Sequence, residues 1–226
     1  MDTITKPMAA LFVPLLTFLF QLAQDWGLAV VLFTLLVRLL LFPLSLRVAR
    51  QQVLQTKMQP ALLRLRETYK DKPVALLEET RKLYEAYGVK PVAMFATAVV
   101  QMPIFMGMYA LFATHGAAMN SFLLPWVLTF AQADAWHVLP LFAALLASLT
   151  SFFPLSGETT VLPVRQRASM ALLTGPIFLF ILWKAPVALC LYWIAGSLFG
   201  LLERAFYRTS WGKALLHGGH TIKEER

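Results

Sequence analysis

The sequence predicts an all-α polytopic membrane protein: a bundle of five transmembrane helices with a cytoplasmic helical hairpin and a hydrophilic groove. Two features of the composition favour a membrane protein. Of the 226 residues, 58% are hydrophobic and only 14% are charged, whereas soluble globular domains contain about 25% charged residues. A soluble domain cannot hide that much apolar surface. The groove is predicted from Arg38, a cation in the middle of the apolar stretch 33–47.

Five segments are apolar and of a length near the roughly 17–25 helical residues that cross a bilayer. Lys184-Ala185-Pro186 separates the last two segments, which predicts a tight turn between their helices. The predicted transmembrane helices occupy residues 28–46, 91–113, 136–153, 169–184 and 186–204.

The predicted spans divide the rest of the chain into five regions. Within residues 1–27, the apolar stretch 8–20 is too short to span and contains Pro14, so it is interpreted as an external helix in the membrane interface. A signal-peptide core is the alternative. The other regions are the hairpin 47–90, an external loop 114–135, a cytoplasmic loop 154–168 and a cytoplasmic tail 205–226.

The hairpin is predicted from two helical apolar stripes joined by a turn. Met58, Leu62, Leu65 and Tyr69 recur at helical spacing in the first arm, and Leu76, Leu83 and Tyr87 do so in the second. Pro73 follows Asp71-Lys72 and suits a first helical turn. The outer face of the hairpin is basic, which predicts contact with anionic lipid headgroups or a partner.

Basic residues predict the orientation. The hairpin, the loop 154–168 and the tail from Arg204 together hold 17 of the 20 Lys and Arg residues. The opposite side has only Lys6 and Lys184. The positive-inside rule therefore places the N-terminus outside and the C-terminus in the cytoplasm.

Arg38 is the residue that points to function. It lies roughly 12 Å from either membrane surface at 1.5 Å per helical residue, where an arginine costs about 2.5–3.5 kcal/mol. No acidic residue falls in the interior of a predicted span, and only Glu203 comes close, at the cytoplasmic end of the fifth. The guanidinium therefore needs water and neutral dipoles, which predicts a hydrated groove. For a single Ser or Thr in a span, the alternative to a groove position is helix packing, since both residues are common at helix contacts in membranes. The candidate groove residues are Arg38, Thr34, Gln101, Ser148, Ser151, Trp193 and Ser197.

No catalytic residue, metal site or cofactor is predicted. The spans have no nucleophile–base pair and no acidic proton relay, the chain has one cysteine, and neither H-E-x-x-H nor G-x-S-x-G occurs. The protein is therefore not expected to be an enzyme. Gly196 and Gly200 form a GxxxG, which is interpreted as a helix-packing contact.

Several stretches resemble the YidC/Oxa-type membrane protein insertases, in the short bacterial form that lacks a large periplasmic domain. They include TLLVRLLLFPLSLR, KMQPALLRLRETYKDKP, KLYEAYGVKP, VVQMPIFMGMYALF and APVALCLYWIAGSLFGLLE, and the resemblance covers roughly residues 25–205. It implies a five-helix core with Arg38 in a groove, from which nascent membrane proteins pass sideways into lipid. The last span of the family often has an asparagine soon after the aromatic pair, where this chain has Ala195-Gly196-Ser197, so that polar contact is not carried over.

The resemblance also implies partners and contact residues. The partners would be nascent membrane proteins, the ribosome, membrane lipids and, for some substrates, the Sec translocon, with nucleic acid reached only through the ribosome. The location would be the bacterial plasma membrane, since no Arg- and Ser-rich transit peptide is present. Substrate would contact Met102, Pro103, Ile104 and Tyr192.

Two other classes of function fit the sequence. A small channel or carrier would use the groove to conduct a solute. A membrane-protein assembly factor would dock subunits without moving their loops.

Overall fold

The computed structural model describes residues 2–153 and 164–217, and these ranges contain helices and loops without a β-strand. Residues 154–163 of the predicted cytoplasmic loop and 218–226 of the predicted tail lie outside them. The helices are α1 Asp2–Ala23, α2 Trp26–Leu40, α3 Phe42–Thr68, α4 Pro73–Ala86, α5 Pro91–His115, α6 Val138–Phe152, α7 Val164–Leu182, α8 Val187–Arg208 and α9 Ser210–His217, with a short 3₁₀ turn at Gly116–Ala118.

The first predicted span bends. Residues 28–46 were expected to form one helix, but α2 ends at Leu40 and α3 starts at Phe42, with 61° between them. Pro43 lies in the first turn of α3. Proline has no N–H to donate and its ring clashes with the carbonyl four residues earlier, which accounts for a break at this position.

One helix of the described residues, α8, is by itself long and apolar enough to cross a membrane, and α2 with α3 would be a second if the bent pair is one span. In the same part of the chain, three further apolar helical stretches have 10–17 residues. They run over Ala10–Ala23, Val138–Phe152 and Arg167–Leu182. The number of five spans therefore stays a prediction.

The main hydrophobic core joins α1, α2, α5, α6 and α8 with the loop that follows α5. Its largest fully buried side chains include Phe33, Phe112, Phe130 and Tyr192. α1 is longer than the predicted stretch 8–20, and it buries Phe12 in this core. α6 and α7 pair closely, since a Cβ on Gly175 would lie 2.5 Å from Ser148 Oγ.

α3 and α4 form the predicted hairpin, with a turn at residues 69–72 and Pro73 in the first turn of α4. Met58 and Leu62 are buried against Val89, and Leu83 and Tyr84 pack on this cluster. At its base the side chain of Gln51 accepts a hydrogen bond of 2.8 Å from the backbone of Lys90.

Candidate functional site

A cavity of about 370 Å³ lies beside Arg38 and is called the Arg38 cavity here. Five helices contribute to its wall, namely α2, α3, α6, α7 and α8. α2 and α3 meet at Leu41 with 61° between them, and residues on either side of this bend line the same cavity. The lining residues are Arg38, Ser45, Val48, Ala49, Gln52, Ala147, Thr150, Ser151, Thr174, Phe178, Trp193, Gly196, Ser197, Gly200, Glu203 and Arg204.

Arg38 is half-buried in the wall of this cavity. Among the described residues no carboxylate lies within 4.0 Å of its guanidinium nitrogens. The Nε of Arg38 is buried and has no hydrogen-bond partner among the residues that the structure describes. The same is true of Trp193 Nε1. Buried donors are nearly always paired, so these two groups mark places where a polar partner can bind.

α8 provides one long stripe of the cavity wall. Its lining residues recur every three or four positions from Trp193 to Arg204, which corresponds to roughly 16 Å along the helix axis. Gly196 and Gly200 belong to this stripe. The three atoms nearest to a Cβ on Gly196 would belong to the side chain of Arg38, and a Cβ on Gly200 would meet the side chain of Arg204. Both glycines of the GxxxG line the cavity, and Gly196 does so where α8 packs on Arg38 of α2.

Glu203 lies in the wall about two helical turns from Gly196. Its Oε1 accepts hydrogen bonds from Ser45 Oγ at 2.6 Å and from Tyr207 Oη at 3.0 Å. The neighbouring Arg204 donates to the carbonyl oxygens of Phe153 and Gly200 at 3.2 and 3.1 Å. With Arg38 and Arg204 positive and Glu203 negative, the lining carries a formal charge of +1.

The structure places four of the seven candidate groove residues on this cavity: Arg38, Ser151, Trp193 and Ser197. The other three lie elsewhere. Thr34 is fully buried, and its hydroxyl donates to the carbonyl of Val30 at 2.7 Å. Gln101 donates its side-chain amide to the hydroxyl of Tyr192. Ser148 faces the contact between α6 and α7.

The candidate substrate-contact residues differ in exposure. Met102 is 59% exposed on α5 and Pro103 is partly exposed, whereas Ile104 is 9% and Tyr192 1% exposed. Met102 and Ile104 differ in exposure because residues two apart lie on different faces of α5. Met102 is therefore the most accessible of the four.

Sequence reasoning did not include several polar lining residues among the candidates. Two of them are partly indicated by the sequence. Ser45 shares a helical face with Arg38, and Glu203 is the acidic residue nearest the interior of a predicted span. Their direct hydrogen bond depends on the bend at Leu41. The remaining polar residues in this group are Gln52, Thr150 and Thr174, and Thr174 accepts a hydrogen bond of 3.1 Å from Ser151.

A metal centre is not indicated by the described ranges, where no three His, Cys, Asp or Glu side chains group closely enough to hold an ion.

A protein-family model described as 60Kd inner membrane protein matches residues 18–213. The chain belongs to this family. The resemblance to YidC/Oxa-type insertases is thereby confirmed. Curated relatives of the chain are named membrane protein insertases. Membrane protein insertase YidC 2 of Bacillus anthracis is 31% identical over 201 residues, which cover 87% of this chain and 77% of the relative. Membrane protein insertase MisCA of Bacillus subtilis is 31% identical over 195 residues, or 84% and 73%.

Another relative is much longer than this chain. Membrane protein insertase YidC of Syntrophus aciditrophicus is 28% identical over 192 residues, which cover 84% of this chain and 34% of the relative. The chain thus spans about one third of the length of that relative.

Proposed function

We propose that the protein is a membrane protein insertase that receives nascent membrane proteins in the Arg38 cavity and releases their transmembrane segments into the bilayer. One observation carries this proposal: a half-buried arginine, with no carboxylate within 4.0 Å among the described residues, lines a polar cavity. The relatives of the chain are named membrane protein insertases.

The cavity lowers the cost of moving polar groups. An unpaired polar group in hydrocarbon costs several kcal/mol, and a translocated loop carries many such groups. Hydroxyl, amide and charged side chains line the Arg38 cavity along roughly 16 Å of α8. A polar loop that enters the cavity exchanges contacts with water for contacts with these groups. The thickness of hydrocarbon that the loop must still cross then becomes smaller.

Arg38 gives the cavity a preference for acidic segments. Its Nε lacks a protein partner among the described residues, so a substrate carboxylate or a water molecule can accept a hydrogen bond from it. The neighbouring Glu203 already accepts hydrogen bonds from Ser45 and Tyr207. The membrane potential adds about 2.3 kcal/mol per charge per 100 mV for a negative segment that moves outward.

Release is driven by apolar burial. A transmembrane segment gains about 25 cal/mol for each Å² of apolar surface that leaves water. On α5, Val99, Met102 and Tyr109 present exposed apolar surface over which such a segment can slide. Methionine suits this use, since its side chain is flexible and polarizable.

The proposed setting is the bacterial inner membrane, with five spans, the N-terminus outside and the C-terminus in the cytoplasm. Nascent membrane proteins are the substrates. Ribosomes, membrane lipids and the Sec translocon are the further partners. The hairpin of α3 and α4 would lie on the cytoplasmic side, where its basic residues meet anionic headgroups.

A reconstituted insertion assay tests the proposal. Proteoliposomes with the parent protein should protect the translocated loop of a small membrane protein from added protease, and empty liposomes should not. Arg38→Ala should lower the protected fraction for an acidic loop more than for a matched neutral loop. Arg47→Ala, which removes an exposed charge on α3, is the control and should leave both unchanged.

Two outcomes would contradict the proposal. Clients that bind without becoming protected would indicate an assembly factor. Solute flux through liposomes that contain only the parent protein would indicate a channel or carrier.

A further inference from the structure

A second concave surface lies on the outward face of the last two turns of α7. This α7 groove has a volume of about 540 Å³, and its lining residues are Pro176, Leu179, Phe180, Trp183 and Lys184. Four of these side chains are apolar or aromatic. The cation lies at one end, directly after the helix.

The apolar part of the α7 groove is open to its surroundings. Phe180 is 85% exposed and the adjacent Ile177 is 56% exposed. In an inner membrane protein family, a helix face of this kind lies against lipid tails. Trp183 is 42% exposed, and its ring stacks on His137 with 4.0 Å between centroids. The indole is therefore held in place at the end of the groove.

Lys184 lies in a fixed turn and has no protein partner among the described residues. Ala185 donates to the carbonyl of Leu182 at 3.1 Å, and Val187 donates to that of Gln132 at 2.8 Å. The nearby loop has one buried acid, Asp134, whose two oxygens already accept from the backbone of Trp136 and Leu139. The ammonium is exposed, so an anion from the surroundings can reach it.

We propose that the α7 groove binds an anionic phospholipid. One acyl chain lies along Pro176, Leu179 and Phe180, and the lipid phosphate accepts hydrogen bonds from Lys184. Trp183 sits at the boundary, where an aromatic ring with a polar N–H is favoured. Charge complementarity decides the occupant, since a long apolar surface that ends in a lone cation matches a lipid tail that ends in a phosphate. This site is separate from the Arg38 cavity and does not depend on insertase activity.

Fluorescence quenching in nanodiscs tests the site. The discs contain phosphatidylcholine with a small fraction of either brominated phosphatidylglycerol or brominated phosphatidylcholine. Trp183→Phe isolates the signal of Trp183 by difference. Brominated phosphatidylglycerol should be enriched near Trp183 by roughly fivefold, the preference that one lysine near the membrane surface gives for anionic lipid. Equal quenching by the two brominated lipids would overturn the proposal.

Charge variants identify the residue responsible. Lys184→Gln should remove the difference between the two lipids and Lys184→Arg should keep it. Lys57→Gln, on an exposed site of α3, should behave like the parent protein. A preference for phosphatidylglycerol that survives in Lys184→Gln would refute the assignment.

A photo-crosslinker at residue 180 separates lipid from protein as the occupant. In membranes that contain a stalled client, mass spectrometry should find phospholipid adducts at this position. Adducts to the client in place of lipid would overturn the proposal and assign the groove to protein.

Discussion

Arg38 and Gly196 fit together across the contact between α2 and α8. A Cβ on residue 196 would lie 2.7 Å from Arg38 Nη2 and 3.2 Å from its Nε. The guanidinium therefore occupies the space that any other residue at position 196 would fill. Gly196 is a positioning residue for Arg38, because its missing side chain lets the cation lie against the helix.

Gly196→Ala should displace the Arg38 guanidinium and weaken insertion of acidic loops, to a level between those of the parent and Arg38→Ala. Folding stability should not fall in parallel, because alanine favours a helix by about 1 kcal/mol over glycine. The protease-protection assay and thermal unfolding in detergent measure the two effects.

Gly200→Ala is the matched control. A Cβ there would lie 3.4 Å from Arg204 Nη1, which is ordinary van der Waals contact. Insertion by Gly200→Ala should stay closer to that of the parent than insertion by Gly196→Ala. Unchanged insertion by Gly196→Ala would show that the position of Arg38 is not set by this contact.

Asp25→Ala should destabilise the folded protein by about 2–4 kcal/mol, because it removes a helix cap and two further hydrogen bonds to a buried carboxylate. Asp25 Oδ1 accepts from the backbone of Leu28 and from Ser121 Oγ, and Oδ2 accepts from the backbone of Phe122. Thermal unfolding in detergent measures the loss. Asp71→Ala, at an exposed turn, should have little effect, and equal losses in both variants would refute this role of Asp25.

Ser45→Ala and Tyr207→Phe should each cost about 1 kcal/mol, the usual net value of one hydrogen bond. Both hydroxyls donate to the same oxygen of Glu203. A double-mutant cycle of Ser45→Ala with Glu203→Ala, which removes the acceptor, should therefore show a coupling energy of about 0.5–3 kcal/mol. Additive losses would mean that the bond between α3 and α8 contributes nothing to stability.

A photo-crosslinker at position 102 should capture a stalled nascent membrane protein more efficiently than one at position 104. Met102 is exposed on α5, whereas Ile104 is buried in the core. Position 141 on α6 is the control, since Leu141 is 52% exposed and lies away from the Arg38 cavity lining. Capture at 141 alone would remove α5 from the substrate path.

The sequence predicted the features that depend on local composition. Long apolar runs indicated membrane helices, the stripes of Met58 and Leu62 indicated the hairpin, and the isolated charge of Arg38 indicated a polar site. These properties follow from which residues neighbour one another along the chain. For the same reason the sequence motifs were sufficient to suggest the family.

Tertiary structure decided which helix faces meet. The bend at Leu41 brings Ser45 to Glu203, the rotation of α8 turns Gly196 toward Arg38, and the rotation of α5 buries Ile104 while exposing Met102. Helix rotation and crossing angle result from the packing of many residues distant in sequence. A periodic pattern defines a face of a helix, but packing determines whether that face meets a neighbour, a cavity or lipid.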